Sequence, residues 1–156
     1  MVEPSVLKDA YLVSGLAADE LAQVASIATV KLFQSGQSLA NCGDPADDLL
    51  VILSGRVSVT TQDGDLLGEI GSNSIVGEIG LVDAKPCAAN VTSIGPVSAA
   101  VFSNQELRRL MSHNRQWGFT MLANISRLMA ARLRQSNARV DELCDLTDQP
   151  WQHPMG

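Results

Sequence analysis

The sequence predicts a mainly β fold of the α+β class: an antiparallel sandwich or barrel with helices before and after it in the chain. Between residues 29 and 103, short apolar or β-branched runs alternate with closely spaced glycines, a pattern typical of antiparallel strands joined by tight turns. Residues 1–28 and 104–143 instead place apolar side chains near helical spacing. We therefore expect one domain over residues 1–143. Residues 144–156 contain two prolines and no periodicity, which predicts a flexible tail.

Length and composition agree with a globular domain. A chain of 156 residues, 46% of them apolar, is long enough to bury a core. The N-terminus lacks the features of a secretory signal, and no apolar run approaches the roughly 18 residues of a membrane span. The three cysteines are far apart and form no Cys-x-x-Cys pair, which indicates reduced thiols. We expect a cytoplasmic protein with no membrane contact and no metal.

The first 28 residues predict short helices. Apolar residues recur near helical spacing from residue 3 onward, and Ser14-Gly15 interrupts them. Asp19 and Glu20 then fall in the first turn of a second helix, where the helix dipole favours negative charge. No residue here suggests chemistry, so we expect this segment to pack against the part of the chain that follows.

Five short runs in the central region predict strands. They are Thr29–Phe33, Leu49–Leu53, Val57–Thr60, Ala88–Thr92 and Val97–Phe102. Asp63-Gly64-Asp65 separates the third run from Leu66–Ile70, and this spacing predicts a β-hairpin.

The C-terminal part predicts a short helix and then a long one. Asn104 is placed to cap the short helix, which carries Leu107 and Leu110. The long helix runs from about Gln116 to Leu143, with a heptad-like seam interrupted by polar residues. This seam favours a homodimer through the helix, and the alternative is a helix that lies on its own barrel. Its members are Leu122, Ile125, Met129, Arg132, Ser136, Val140 and Leu143.

Residues 74–91 form the stretch best suited to ligand chemistry. Gly77 and Gly80 bracket Glu78 and Ile79, ahead of a polar loop and a run of small residues. A glycine before a short helical turn allows the backbone to approach a ligand closely, and the free N–H groups of that turn suit a phosphate. The carboxylate of Glu78 is placed to accept hydrogen bonds from sugar hydroxyls.

This stretch resembles the phosphate-binding cassette of cyclic nucleotide-binding domains, whose pattern is Gly-Glu-apolar-small-Leu, a loop, then Arg-small-Ala-x-Val. The matching residues are Gly77, Glu78, Ile79, Gly80, Leu81, Ala88, Ala89 and Val91. Cys87 stands where the family pattern has the arginine that pairs with the cyclic phosphate. The order of glycines and strands extends the resemblance over residues 29–103. It implies an antiparallel β jelly-roll barrel with N-terminal helices and a long C-terminal helix.

The resemblance also implies a function. A non-catalytic regulatory sensor would bind a cyclic mononucleotide, cyclic AMP or cyclic GMP, and transmit its presence through the C-terminal helix. Ser136 or Asn137 on that helix is expected to face the base of the nucleotide. A separate output protein is left open as a partner. The implied cassette ligands are Gly77, Glu78, Ile79, Gly80, Cys87 and Ala88.

Other functional classes find little support in the sequence. Members of the resembled family that regulate transcription continue into a helix-turn-helix domain, whereas thirteen residues follow Leu143 here, so we expect no DNA binding by this chain. The net charge of −6 also argues against binding nucleic acid by electrostatics alone. The two histidines, His113 and His153, lie outside the cassette, and no catalytic arrangement is apparent, so we expect no enzyme.

Cys87 leaves three hypotheses open. In the first, nucleotide binding survives but is weaker by roughly ten- to a hundredfold, since hydrogen bonds to charged groups contribute roughly 1.5–3 kcal/mol. Lys85 is the one basic residue of the loop that could replace the arginine; without a cation, buried Glu78 and the phosphate would repel each other. In the second, the domain is a degenerate scaffold for dimerisation or docking. In the third, Cys87 is a thiol of lowered pKa that senses oxidants or a metal.

Overall fold

The computed structural model describes the chain from Met1 to Leu146, and residues 147–156, most of the predicted tail, lie outside it. The helices are α1 (Pro4–Leu7), α2 (Ala18–Ser26), α3 (Glu78–Asp83), α4 (Asn104–His113) and α5 (Arg115–Leu146), with a 3-10 turn at Tyr11–Val13. The strands are β1 (Thr29–Phe33), β2 (Ser38–Ala40), β3 (Asp48–Thr60), β4 (Leu66–Ile70), β5 (Ile75–Val76) and β6 (Asn90–Ser103). Within these residues no helix combines the length and apolar character of a membrane span.

The strands of the described part form one antiparallel sheet. Its centre is the pair β3 and β6, whose register runs from Asp48 opposite Ser103 to Thr60 opposite Asn90. Strand β1 lies on the outer side of β6 and β4 on the outer side of β3, while β2 pairs with β6 and β5 with β3. The predicted hairpin around Asp63-Gly64 is confirmed as the connection between β3 and β4.

The first part of strand β3, Leu49–Ile52, is buried on both faces, which explains its run of four apolar residues. Successive strand residues point to opposite sides of a sheet. Leu49 and Val51 therefore join the core formed with the helices, whereas Leu50 and Ile52 join the core inside the barrel. All four side chains are almost completely excluded from solvent. One core thus fills the barrel, and the other joins the barrel to a layer of helices on one side.

Two pairs of predicted strands are in fact single long strands, and the second pair, Ala88–Thr92 and Val97–Phe102, belongs to β6 apart from its first two residues. Leu49–Leu53 and Val57–Thr60 both belong to β3, whose register shifts on either side of Ser54. Gly55 has a φ of +93°, and a Cβ atom there would lie 2.5 Å from the carbonyl oxygen of Pro96 in β6. This glycine thus marks a bend at which the two central strands approach closely, rather than a turn between strands.

The N-terminal helices pack on the first half of α5, as expected for a segment without chemistry. Leu7, Leu12 and Val24 are fully buried in the same core as Met121 and Ile125. The break predicted near Ser14-Gly15 falls between the 3-10 turn and α2.

The structure corrects two details of the C-terminal helices. Ser103, not Asn104, caps α4, because its Oγ accepts a hydrogen bond of 3.3 Å from the backbone N–H of Glu106. Asn104 is buried and donates instead to the carbonyl oxygen of Ala46. The register of the predicted seam is also wrong at Ile125, which is 1% exposed and faces the protein's own core. The side chains of the last two seam residues, Val140 and Leu143, lie outside the described ones.

Candidate functional site

The cassette is built around the short helix α3. Gly77, with a φ of +89°, turns the chain from β5 into the helix, and a Cβ atom there would lie 2.5 Å from the carbonyl oxygen of Asp48. A Cβ atom at Gly80 would overlap the side chain of Ala46. The close approach at these glycines was expected to serve a ligand. In the structure, the start of β3 and the residues just before it occupy that space.

Glu78, the first residue of α3, is buried and forms an ion pair with Arg132 of α5. The Nη1 atom of Arg132 donates to Oε1 of Glu78. Its Nη2 atom donates to the hydroxyl of Ser74 at 3.1 Å and to the carbonyl oxygen of Ile75 at 2.7 Å. One guanidinium group therefore connects α5 to both the strand and the helix of the cassette.

This ion pair is poorly hydrated, so it depends strongly on both partners. The side chain of Glu78 is 7% exposed and that of Arg132 is 28% exposed. A buried carboxylate is costly unless a charge and hydrogen-bond donors compensate for its lost hydration. The planar guanidinium supplies both. Arg132 therefore supplies a balancing cation for Glu78 that was not identified from the sequence.

Arg132 was expected only in the predicted seam, and its role in the site was missed from the sequence. The ion pair joins residues 54 positions apart, beyond the reach of any local pattern. One signal was present: Arg132 is the one charged residue of the predicted seam. A polar residue at such a position is expected to have a specific partner.

A second arginine holds α5 against the barrel further along. Arg139 donates from Nη1 to the carbonyl oxygen of Leu67 in β4. Arg132 and Arg139 are seven residues apart and so lie on one face of the helix. Ser136 is rotated by about 40° from Arg132 and Asn137 by about 140°, given 3.6 residues per turn. Both side chains are exposed, and the helix geometry places Ser136 on the barrel-facing side.

Cys87 is half-buried in the loop after α3, where it pairs with the loop between β2 and β3. Its N–H donates to the carbonyl oxygen of Asp44 at 2.8 Å, and its own carbonyl accepts from Gly43 at 3.0 Å. Burial and the nearby carboxylate of Asp44 raise the pKa of the Cys87 thiol. The hypothesis of a lowered pKa is wrong, because Cys87 follows α3 and lies beside an acidic residue instead of at the helix N-terminus.

The remaining predicted ligand residues are more exposed. The side chain of Lys85 is exposed and forms no ion pair with any side chain that the structure describes, while its backbone N–H donates to Asp83. Ile79 is 45% exposed and Ala88 is also exposed. The structure therefore brings Glu78 together with Arg132, and leaves Lys85 outside that contact. No cluster of three metal-binding side chains occurs among the described residues.

Comparison with known proteins agrees with this architecture. The family model of the cyclic nucleotide-binding domain matches residues 30–114, the region from β1 to the end of α4. Among solved structures, a cyclic nucleotide-binding domain from Methylobacillus flagellatus superposes with a TM-score of 0.79 at 25% identity, over 96% of this chain and 84% of that chain. The expected fold class is thereby confirmed.

Two curated proteins are similar over part of their length. Glutaminase 1 of Bradyrhizobium diazoefficiens is 33% identical over 141 residues, which is 90% of this chain and 23% of the glutaminase. The cAMP-dependent protein kinase regulatory subunit of Dictyostelium discoideum is 36% identical over 85 residues, which is 50% of this chain and 26% of the subunit. The chain thus spans about a quarter of each of these relatives.

Proposed function

The chain belongs to the cyclic nucleotide-binding domain family, and on that premise we propose that it is a regulatory sensor that binds a cyclic mononucleotide and transmits this through α5. Cyclic AMP and cyclic GMP are the candidate ligands. One observation carries the proposal: Arg132 of α5 is hydrogen-bonded to Glu78, Ser74 and Ile75 of the cassette. A ligand hydroxyl that binds the carboxylate of Glu78 must either share that carboxylate with Arg132 of α5 or displace the arginine from it. Ligand binding would therefore change the position or stability of that helix.

Each part of the nucleotide has a candidate partner in this proposal. The backbone around Gly77 and α3 would bind the cyclic phosphate, and Glu78 would accept a hydrogen bond from the ribose 2′-hydroxyl. Ser136, which shares a helix face with the two anchoring arginines, would lie nearest the base. Cys87 provides no positive charge for the phosphate. We therefore expect an affinity roughly ten- to a hundredfold below that of a site with arginine at this position.

The output surface in this proposal is the outer face of α5, and its partner is a second copy of the chain. Phe119, Leu122 and Leu133 are apolar and 72%, 42% and 63% exposed. Together with Ser126 and Met129 they follow alternating spacings of three and four residues, the repeat of a two-stranded coiled coil. A symmetric dimer would bury this face, and the arginine contacts with the cassette would orient it. A separate output protein would then recognise the dimer.

A degenerate scaffold that binds no nucleotide is the second candidate. It is favoured by the same ion pair, because Arg132 neutralises Glu78 without any ligand. In this case the barrel would serve only to hold α5 for dimerisation or docking. The two functions differ in whether the cassette still accepts a cyclic phosphate.

Calorimetric titration of cyclic AMP and cyclic GMP separates the two candidates. We expect the wild-type protein to bind one of them, and Cys87→Arg to bind it roughly ten- to a hundredfold more tightly. Gln23→Arg is the control, since it adds the same charge at an exposed position of α2, outside the cassette, and it should leave the affinity unchanged. Binding by Cys87→Arg alone would favour the scaffold. Binding by neither protein would contradict the assignment of the cassette as a nucleotide site.

A further inference from the structure

Two cysteines belong to loops that are hydrogen-bonded to each other beside the cassette. Cys42 lies between β2 and β3, and Cys87 lies between α3 and β6. The N–H of Gly43, the residue after Cys42, donates to the carbonyl oxygen of Cys87 at 3.0 Å. The N–H of Cys42 itself donates to the side chain of Asn90 at 2.7 Å. These contacts hold the two cysteine backbones next to each other, although they lie far apart in the sequence.

The separation of the two backbones is compatible with a covalent link. Standard bond lengths and the 3.0 Å contact place the Cα atoms of Cys42 and Cys87 at most about 8 Å apart. Disulfides usually span about 4.4–6.8 Å between Cα atoms, so even the upper bound exceeds this range by only about 1 Å. Both side chains are free thiols and both are half-buried. Cys42 is also among the groups that raise the pKa of Cys87, which is consistent with their proximity.

We propose that Cys42 and Cys87 form a reversible disulfide that ties the cassette loop to the loop between β2 and β3. Oxidised glutathione, or another small disulfide, is the oxidant. One protein thiolate attacks it to form a mixed disulfide and releases one glutathione thiol. The second protein thiolate then attacks the mixed disulfide and releases the other. The two cysteines together lose two protons and two electrons, and one glutathione disulfide becomes two thiols.

The disulfide would restrain the cassette loop at Cys87, the position that lacks a positive charge for binding a phosphate. Cys87 would be tethered through its side chain as well as through its two backbone hydrogen bonds, so the loop would lose conformational freedom. The raised pKa of Cys87 also predicts that the disulfide forms more slowly at neutral than at alkaline pH, because the thiolate is the reactive form. The inference rests on the geometry of the loops and is independent of nucleotide binding.

The test uses the full chain with Cys144→Ser, so that Cys42 and Cys87 are the only thiols. The protein is equilibrated in glutathione buffers of increasing oxidised fraction, quenched with acid, alkylated and mapped by mass spectrometry. We expect a peptide that links the two cysteines to accumulate with the oxidised fraction and to disappear on addition of reductant. The linked protein should also unfold at a higher temperature than the reduced protein, since the link constrains the unfolded chain.

Two controls make the result specific to the folded geometry. The same buffers are applied to the chain unfolded in urea, where linkage should become rarer relative to mixed disulfides with glutathione. Unlinked cysteines, or only mixed disulfides, in a folded protein with native circular dichroism would overturn the proposal. Linkage that is no more frequent in the folded than in the unfolded chain would overturn it as well. Wild-type protein provides a further comparison, because the proposal requires Cys42 to pair with Cys87 in preference to Cys144.

Discussion

At the scale of single residues, Arg132 has the largest expected influence on the cassette. It makes three hydrogen bonds to groups in two different elements, and one of them is the carboxylate of Glu78. The side chain of Glu78 is otherwise almost completely buried. Loss of the guanidinium would therefore leave a buried negative charge without its cation, which costs more than the loss of an exposed ion pair.

We expect Arg132→Gln to lower the free energy of unfolding by about 3 kcal/mol, the lower end of the range for broken buried pairs, because Arg132 keeps some exposure. Urea denaturation measures this change. Arg134→Gln removes the same charge from an exposed position of the same helix and should have an effect below about 0.5 kcal/mol. Equal effects of the two substitutions would show that the ion pair does not stabilise the fold.

At the scale of elements, the start of α3 depends on a glycine for two separate reasons. Gly77 has a positive φ, which disfavours other residues, and its Cα hydrogens face the carbonyl oxygen of Asp48 at the start of β3. Gly64, in the hairpin between β3 and β4, has a similar φ of +92°, but a Cβ atom there would have no neighbouring atom within 4 Å. Comparing alanine substitutions at Gly77 and Gly64 therefore separates the free-energy cost of the backbone conformation from that of close packing.

We predict that Gly77→Ala destabilises the protein by about 2 kcal/mol more than Gly64→Ala. In the Gly64 variant, the only cost is that alanine disfavours the positive φ, about 1 kcal/mol. In the Gly77 variant, the added methyl group must also push α3 away from β3. Thermal or urea unfolding provides the comparison, and hydrogen exchange in α3 should rise in the Gly77 variant alone. Similar losses for the two variants would mean that β3 adjusts to the added methyl group at little cost.

The two halves of the helix α5 are held in different ways. Its first half is buried against the N-terminal helices through residues such as Met121 and Ile125. Its second half is held to the barrel by hydrogen bonds from Arg132 and Arg139. Polar anchors can exchange partners with a ligand or water more easily than a packed core can rearrange. The second half is therefore the part of the helix best suited to respond to the cassette.

At the scale of the whole molecule, the exposed face of α5 leads to the proposed dimer. Leu133 lies in that face and is 63% exposed, so its replacement should not disturb the monomer. We expect Leu133→Glu to weaken self-association at least ~100-fold, because two unpaired carboxylates would be buried near the symmetry axis. Sedimentation equilibrium over a range of protein concentrations measures the dissociation constant.

Gln135→Glu is the matched control for the dimer. It introduces the same charge two residues further along, on another side of the helix, where the residue is also exposed. This variant should associate like the wild type. A wild-type protein that stays monomeric at every concentration, or a Leu133→Glu variant that dimerises like it, would exclude this face as the interface.

The sequence by itself determined the class of fold and the position of the cassette. Alternation with a period of two, spacing near 3.6 and the glycines at turns are local properties, and each specifies the backbone over a few residues. These local patterns were enough to predict β1, the hairpin at Asp63-Gly64 and the helices at both ends of the chain. The Gly77-Glu78 motif likewise located α3 within the chain, since its meaning depends on adjacent residues.

Only the tertiary structure decided how these pieces meet. The continuity of β3 through Gly55 depends on the approach of β6, and the contact of Arg132 with Glu78 depends on the rotation of α5 about its axis. Neighbouring residues of a helix are rotated by about 100° relative to each other. If the assumed register is wrong by one residue, residues assigned to the seam in fact face the core or the site. Ile125 and Arg132 were both assigned to the seam for this reason. Packing against the barrel sends one to the core and the other to the cassette.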